Sequence, residues 1–332
     1  MKELDRKHTA DLLRNASRVL ILGHANPDGD CIGSMAALRL ALEALGKQAD
    51  AWADDPVPLK YRFLDSLLQK PDPVCNNSWD LAVCVDTPCV SRLGIDPSLL
   101  PSGLPVLCID HHRVCKEEFD FVYEDTGQSA VGCMLYDLFE DIGAPLTTKM
   151  AEALYAAIVT DTGCFTNRNT NVRAFQISVE LINAGADPGT LAEYIYLSAS
   201  VDQLRVLGEV LNSLELLSGG KGALMYLSDA TRRKCGAENA DTENFVNYAR
   251  SIYGVKVAAM LIETEDGKSV RISLRSKDHS DDVRTFAENL GGGGHPCAAG
   301  ATAPGSLEKY LPEFRRKMNE FIQTLPDDRS GI

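Results

Sequence analysis

Short uncharged runs alternate along the first half of the chain with longer stretches whose apolar residues recur at helical spacing. Residues 19–22, 81–85 and 105–109 are aliphatic or carry a cysteine, contain no charge and are too short for helices. Each predicts a strand buried on both faces. Helical spacing predicts helices over 32–45, 130–142, 149–159 and 170–184, three of them ended by Gly46, Gly143 and Gly185. Strand alternating with helix predicts an α/β fold around a parallel sheet. Residues 50–79, with Pro56, Pro58, Pro71 and Pro73, read as loop, short helix and loop. A helix-rich stretch over 186–218 reads as a connector, closed by Ser218-Gly219-Gly220-Lys221-Gly222. Beyond it come a strand over 223–227, a helix over 243–252, and strands over 255–263 and 268–274 joined at Asp266-Gly267. A helix over 283–290, a glycine-rich segment, a helix over 307–325 and a frayed tail from Pro326 complete the chain. The expected division is 1–185, 186–218 and 219–332.

Composition narrows the class. A chain of 332 residues suits two domains, since a domain usually runs to about 100–200 residues. Hydrophobic content of 45% and charged content of 24% are those of a globular protein. No uncharged run reaches the roughly 18 residues of a membrane span, and the charged N-terminus lacks the apolar centre of a signal peptide. A cytoplasmic setting with no membrane partner is expected. The net charge of −14 argues against tight binding along long nucleic acids, which requires many phosphates to be neutralised. It leaves room for a small anion held by metal ions and a few cations. The ten cysteines form no CxxC pair and read as reduced thiols, with Cys84 and Cys108 acting as small hydrophobes inside strands.

The chemistry gathers where the apolar runs end. After the first run, Gly23-His24-Ala25-Asn26-Pro27-Asp28-Gly29-Asp30 places one imidazole and two carboxylates within seven residues. After the second comes Asp86-Thr87-Pro88, and after the third Asp110-His111-His112. The helix over 149–159 runs into Thr160-Asp161-Thr162-Gly163. Any one of these is explained by the liking of turns for Asp and Asn. Their recurrence at strand ends is not, and ligands bind beyond the carboxyl ends of strands in open α/β sheets. Four carboxylates, Asp28, Asp30, Asp86 and Asp161, balance two divalent ions, with His24 and His111 completing a pair of sites. Asp86, from the middle strand, is the simplest bridge. Two adjacent ions suit in-line displacement at phosphorus. Mixed imidazole and carboxylate donors suit Mn²⁺, with Mg²⁺, Co²⁺ or Zn²⁺ as alternatives. Far along the chain, Gly291-Gly292-Gly293-Gly294-His295 offers backbone N–H groups that can approach a phosphate closely, with a helical Ala298-Ala299-Gly300 following.

These motifs, in this order, resemble the DHH phosphoesterase superfamily, named for the triplet that stands here as Asp110-His111-His112. The glycine-rich segment resembles the DHH-associated domain of its oligoribonucleases, and the likeness spans nearly the whole chain. The most similar type is the nanoRNase type, an oligoribonuclease that is also a pAp phosphatase. The resemblance implies His24, Asp28 and Asp86 around one Mn²⁺ and Asp30, Asp86, His111 and Asp161 around the other. It implies Asp110 as the partner that orients a histidine and His112 as the group that meets the scissile phosphate. Arg275, Ser276, Gly292, Gly293, Gly294 and His295 would grip the far nucleotide, from a smaller second domain across a cleft. The expected substrates are short oligoribonucleotides, linear dinucleotides among them, and 3′-phosphoadenosine 5′-phosphate, with a homodimer as a weak expectation. In the family an Asn often stands where Cys115 stands here. A manganese inorganic pyrophosphatase shares the metal motifs but carries cationic clusters in its second domain, which are sparse here. A nucleotide sensor without activity would have lost a ligand, and every expected one is present.

Overall fold

The computed structural model describes residues 1–68, 79–237, 240–242, 244–264 and 266–326. The expected loop around Pro71 and Pro73, with Cys75, the helix start at Glu243 and the tail after Pro326 lie outside the described residues. The chain divides into two compact units, 1–198 and 199–332.

The first unit runs β1 (Lys2–Glu3), α1 (Arg6–Asn15), β2 (Arg18–Leu22), α2 (Gly29–Ala44), β3 (Gln48–Trp52), β4 (Leu81–Val85), β5 (Val106–Asp110), β6 (Phe121–Glu124), α3 (Val131–Ile142), α4 (Thr148–Asp161), α5 (Val172–Asn183) and α6 (Pro188–Tyr196). Its six strands form one parallel sheet in the order β1-β6-β5-β4-β2-β3. The three apolar runs became the three central strands. Val19 and Ile21 enter the core on one face of β2, and Leu20 and Leu22 enter the core on the other. Strands β1, β3 and β6 carry no such run. The first two are edge strands, where one side needs no burial, and the sequence Gln-Ala-Asp-Ala-Trp of β3 reads as loop. From β2 the chain goes one way to β3, then crosses back to β4 on the other side of β2. The direction of winding therefore reverses between β2 and β4, and the crevice beyond such a reversal is where α/β sheets bind ligands.

The first helix after β2 starts three residues earlier than its apolar pattern suggests. Asp28 is its N-cap, accepting from the N–H groups of Asp30 and Cys31, so Asp30 lies in the first helical turn and not in a loop. Helix α4 extends to Asp161. The expected connector is shared out: α6 packs with the first unit, and α7 (Val201–Asn212) begins the second.

The second unit continues with β7 (Glu215–Leu217), β8 (Gly222–Leu227), α8 (Asp229–Lys234), α9 (Val246–Ser251), β9 (Val257–Glu263), β10 (Ser269–Ser276), α10 (Val283–Glu288), β11 (Gly293–His295), β12 (Ala298–Pro304) and α11 (Leu307–Thr324). Its mixed sheet has the order β11-β12-β10-β9-β8-β7, with only β8 and β9 parallel. The expected helical Ala298-Ala299-Gly300 is instead the start of strand β12, which pairs with β10 along its whole length.

One thiol expectation is corrected. Cys89 and Cys115 form a disulfide, with Cα atoms 5.2 Å apart. They sit on the loops that leave the neighbouring parallel strands β4 and β5, a proximity that 26 residues of sequence separation conceal. Cys31, Cys84, Cys108 and Cys133 are buried free thiols.

Candidate metal centre

Each candidate ligand is placed by a local feature of the backbone. At the end of β2 a Cβ on Gly23 would stand 2.2 Å from Cys31 Sγ, so only glycine lets the strand pass this close to α2. His24 Nδ1 faces the Ala25 carbonyl at 2.9 Å. A carbonyl can only accept, so Nδ1 carries a proton and Nε2 is the nitrogen turned to the acids. Asp86 adopts the left-handed region with φ 52°, and its N–H donates to Ile109 O at 3.1 Å. Asp110 closes β5 and accepts both the backbone N–H and Nδ1 of His112, each at 2.7 Å. His111 Nδ1 faces Gln128 O at 3.2 Å, which again leaves Nε2 for the acids.

Helix packing brings in the rest. Gly29 and Gly33 lie one turn apart on α2. A Cβ on the first would meet the Thr160 side chain at 2.3 Å, and one on the second Ala153 O at 2.4 Å. This close approach of α2 to α4 brings Asp30 beside Asp161, at the last position of α4. Asp30 is further held by Ser34 Oγ at 3.0 Å and by the N–H groups of Val131 and Gly132, at 2.7 and 3.0 Å, at the start of α3.

The donor atoms fall into two groups that share one carboxylate. In the first, His24 Nε2 lies 3.7 Å from Asp28 Oδ1 and 3.6 Å from Asp86 Oδ2. In the second, His111 Nε2 lies 3.9 Å from Asp30 Oδ2, 3.9 Å from Asp86 Oδ1 and 3.8 Å from Asp161 Oδ2. Two bonds of about 2.1 Å to one ion span up to roughly 4 Å, so each histidine stands from its carboxylates at single-ion spacing, and His24, Asp28 and Asp86, like Asp30, His111 and Asp161, form a compact donor group. Asp86 turns one oxygen to each.

Three comparisons place this geometry among known proteins. Residues 18–158 match the DHH family, N-terminal domain, and residues 207–324 match the DHHA1 domain. A protein of Thermus thermophilus, the bifunctional oligoribonuclease and PAP phosphatase NrnA, is 32% identical over 312 residues, covering 90% of either chain. The chain belongs to the DHH family. The NrnA protein of Bacillus subtilis is 28% identical over 298 residues, covering 88% of this chain and 92% of its own. The crystal structure of an exopolyphosphatase-related protein from Bacteroides fragilis superposes with a TM-score of 0.85 at 26% identity, over 96% of both chains.

The donor set of this DHH chain suits divalent cations. Asp86 Oδ1 is buried and accepts no hydrogen bond among the described residues; His112 Nδ1, at 3.3 Å, partly offsets its charge, and a metal ion beside it would do so further. Burial pushes the Asp30 and Asp161 carboxyls well above the usual carboxylate range; Asp86 adds to the first, Asp28 and Asp86 to the second. Burial acts on Asp86 in the same sense, but His112 and His24 outweigh it and hold its carboxyl below that range. Burial would lower His112, yet Asp110 and Asp86 hold it well above the usual imidazole range, which favours the charged ring. Carboxylates crowded in one buried volume repel each other, and positive charge placed among them relieves that.

In the DHHA1 unit the expected substrate residues gather around one hairpin. Arg275 pairs across from Ala298, and its Nη1 donates to Leu274 O at 3.0 Å. Ser276 is buried; its hydroxyl lies 3.1 Å from Asp278 O and 3.2 Å from Pro296 O, and its N–H donates to Cys297 O at 3.0 Å. It shapes the turn between β11 and β12. The glycines are not alike, and two of them serve packing as well as any approach to phosphate. A Cβ on Gly292 would stand 2.0 Å from Gly300 O and one on Gly294 2.5 Å from Ala298 O, whereas Gly293 has nothing within 4 Å. The His295 side chain lies outside the described residues.

Two supporting residues escaped the sequence reading. Ser34 stands four residues after Asp30 on the same helix face, a signal that was available. Asn169 Nδ2 donates to Asp161 Oδ2 at 2.8 Å, and nothing in its neighbourhood in sequence announces that.

Proposed function

We propose that this DHH chain is a two-metal phosphoesterase that hydrolyses short oligoribonucleotides, linear dinucleotides among them, to mononucleotides. We extend the reading to the 3′-phosphate of 3′-phosphoadenosine 5′-phosphate. The observation that carries it is Asp86, one carboxylate turned to two complete donor groups. The activities for which the Thermus and Bacillus relatives are named, oligoribonuclease and PAP phosphatase, support the substrate class.

In this reading His24, Asp28 and Asp86 hold one ion and Asp30, Asp86, His111 and Asp161 the other, with Mn²⁺ as the metal for this mixed donor set. Bound divalent ions supply an activated water and neutralise charge on the phosphoryl oxygens. Asp110 fixes the His112 ring by accepting from Nδ1, which keeps the imidazole charged and aimed. His112 then donates to a phosphoryl oxygen and stabilises the charge that develops there. Arg275 binds a second phosphate of the substrate through its planar fork, and the Gly293 backbone approaches the same nucleotide. A short substrate has few phosphates to neutralise, which is how a chain of net charge −14 acts on RNA.

The test is metal-stripped protein with Mn²⁺ restored, assayed side by side on pApA, a long RNA, 3′-phosphoadenosine 5′-phosphate and pyrophosphate. Rapid cleavage of pApA with little turnover of long RNA or pyrophosphate is expected. A preference for pyrophosphate would overturn the substrate class. Silence on all four with metal bound would point to a sensor.

A further inference from the structure

Cys89 follows Asp86 by three residues, and Cys115 follows His112 by three. The disulfide between them therefore joins the loop that carries the shared carboxylate to the loop that carries both histidines. Hydrogen bonds run alongside it: the Cys115 N–H donates to Pro88 O at 2.7 Å, and the Val90 N–H to Oε2 of the Glu118 side chain at 2.6 Å. The link then continues into the third metal-bearing loop. Cys89 precedes the short turn Val90–Arg92, and Arg92 O accepts the Ala25 N–H at 2.8 Å. Leu93 bridges to His24, and the Gly94 N–H donates to Gly23 O at 2.9 Å. One covalent bond thus sits where the loops of His24, Asp86 and His111 to His112 are tied together.

Accessibility separates this pair from the buried thiols. Cys89 and Cys115 are half-buried, while Cys31, Cys84, Cys108 and Cys133 are fully enclosed in the first unit.

We propose that the Cys89–Cys115 bond is a positioning element of the metal centre that a dithiol can release, so that the oxidation state of this pair sets the affinity for metal. In the step, a thiolate of the dithiol attacks one of the two sulfurs, and the other cysteine leaves and takes up a proton. The second thiol of the dithiol then attacks the mixed disulfide and frees the remaining cysteine. One S–S bond breaks, one forms in the reductant, and Cys89 and Cys115 gain two electrons and two protons. Once they part, no covalent link remains between the two loops, and the spacing of 3.3 Å between His112 Nδ1 and Asp86 Oδ1 rests on noncovalent contacts. The proposal rests on the metal assignment above and is independent of the substrate.

The experiment uses the full chain in two states, oxidised and reduced with dithiothreitol, with the reductant removed without air and the state of each cysteine read by differential alkylation and mass spectrometry. Mn²⁺ is titrated into each by calorimetry. Reduction is expected to weaken Mn²⁺ binding on the order of tenfold, the scale for groups that orient metal ligands, and reoxidation to restore it. A Cys89→Ser/Cys115→Ser double variant should show the reduced affinity and no response to dithiothreitol, while Cys164→Ser keeps the full response. A crosslink that is only structural would lower the melting temperature on reduction and leave Mn²⁺ affinity unchanged, and that result overturns the proposal. So does finding the two cysteines unpaired after oxidation. Oxidised protein that binds no Mn²⁺ overturns the metal assignment as well, which separates the two failures. Should the double variant fail to fold, the wild-type comparison decides alone.

Discussion

The candidate metal centre of the first unit and the glycine hairpin of the second hold their chemistry in different ways. The first is built from side chains that other side chains and backbone groups aim. Asp30 is held by three donors, Asp110 holds His112, and both ligand histidines have one ring nitrogen at a carbonyl. The second is built from backbone. Gly292 and Gly294 are pressed against β12, and Ser276 holds the turn through its carbonyls. A side-chain site fails when a charge is removed. A backbone site fails when a strand is displaced.

The largest expected effect is on the shared carboxylate. Asp86→Ala should lower kcat/KM for pApA by roughly 10³-fold or more, equivalent to about 4 kcal/mol of transition-state stabilisation. Metal analysis should show loss of bound Mn²⁺ in the same variant. Its metal-free fold should lose stability at neutral pH, because His112 and His24 hold the Asp86 carboxyl below the usual range and lose that partner in the variant. Full activity with two ions still bound would end the reading of Asp86 as a bridge.

Asp110→Asn comes next. The variant keeps the shape beside His112 but loses the charge that holds the ring protonated. A drop in kcat of about 10–100-fold is expected, with KM nearly unchanged, since the carboxylate acts through His112 and not on the substrate. A change confined to KM would place Asp110 elsewhere in the cycle.

The central strands and the acids at their ends were legible because burial on both faces demands uncharged runs, and because ligands must be particular residue types. Strand β3 was not, since an edge strand with Gln48 and Asp50 satisfies no such demand. The start of α2 was not either: Pro27 and Gly29 read as loop, yet Asp28 serves as the N-cap that begins the helix, and so one carboxylate is both cap and candidate ligand. The approach of α2 to α4 depends on Gly29 and Gly33, whose partners Thr160 and Ala153 lie more than a hundred residues away. The pairing of Cys89 with Cys115 was hidden for the same reason, being a consequence of neighbouring strands and not of spacing. In the second unit, composition showed the glycines but not which of them pack.

Metal removal should separate the two units by stability. Mn²⁺ at about 100 times its dissociation constant stabilises the fold that binds it by about 2.7 kcal/mol. For a unit of this size that is roughly 5–10 °C in melting temperature, expected in the first unit and absent from the second. The shift should shrink as pH falls. Asp30 and Asp161 have raised pKa values in the metal-free fold, so they take up protons sooner than ordinary carboxyls, and those protons compete with the ion. Calorimetry with and without a chelator, at pH 8 and pH 6, reads both effects. Equal shifts in both units would mean that the metal is not confined to the first.

The smallest effects sharpen the contrast most. Gly292→Ala places a methyl group 2.0 Å from Gly300 O, so β11 must move; a loss of about 1–3 kcal/mol is expected, with weaker binding following from the displaced strand. Gly293→Ala meets nothing within 4 Å and needs no left-handed backbone, so it should stabilise the unit by roughly 0.5 kcal/mol through the unfolded chain. If the hairpin meets the substrate through its backbone, the same variant should raise KM for pApA several-fold while kcat holds and the melting temperature does not fall. A Gly293→Ala protein that is stabilised and unchanged in KM would show that the hairpin is glycine-rich for packing alone, and the grip would then pass to Arg275, whose replacement by Ala would carry the whole change in KM.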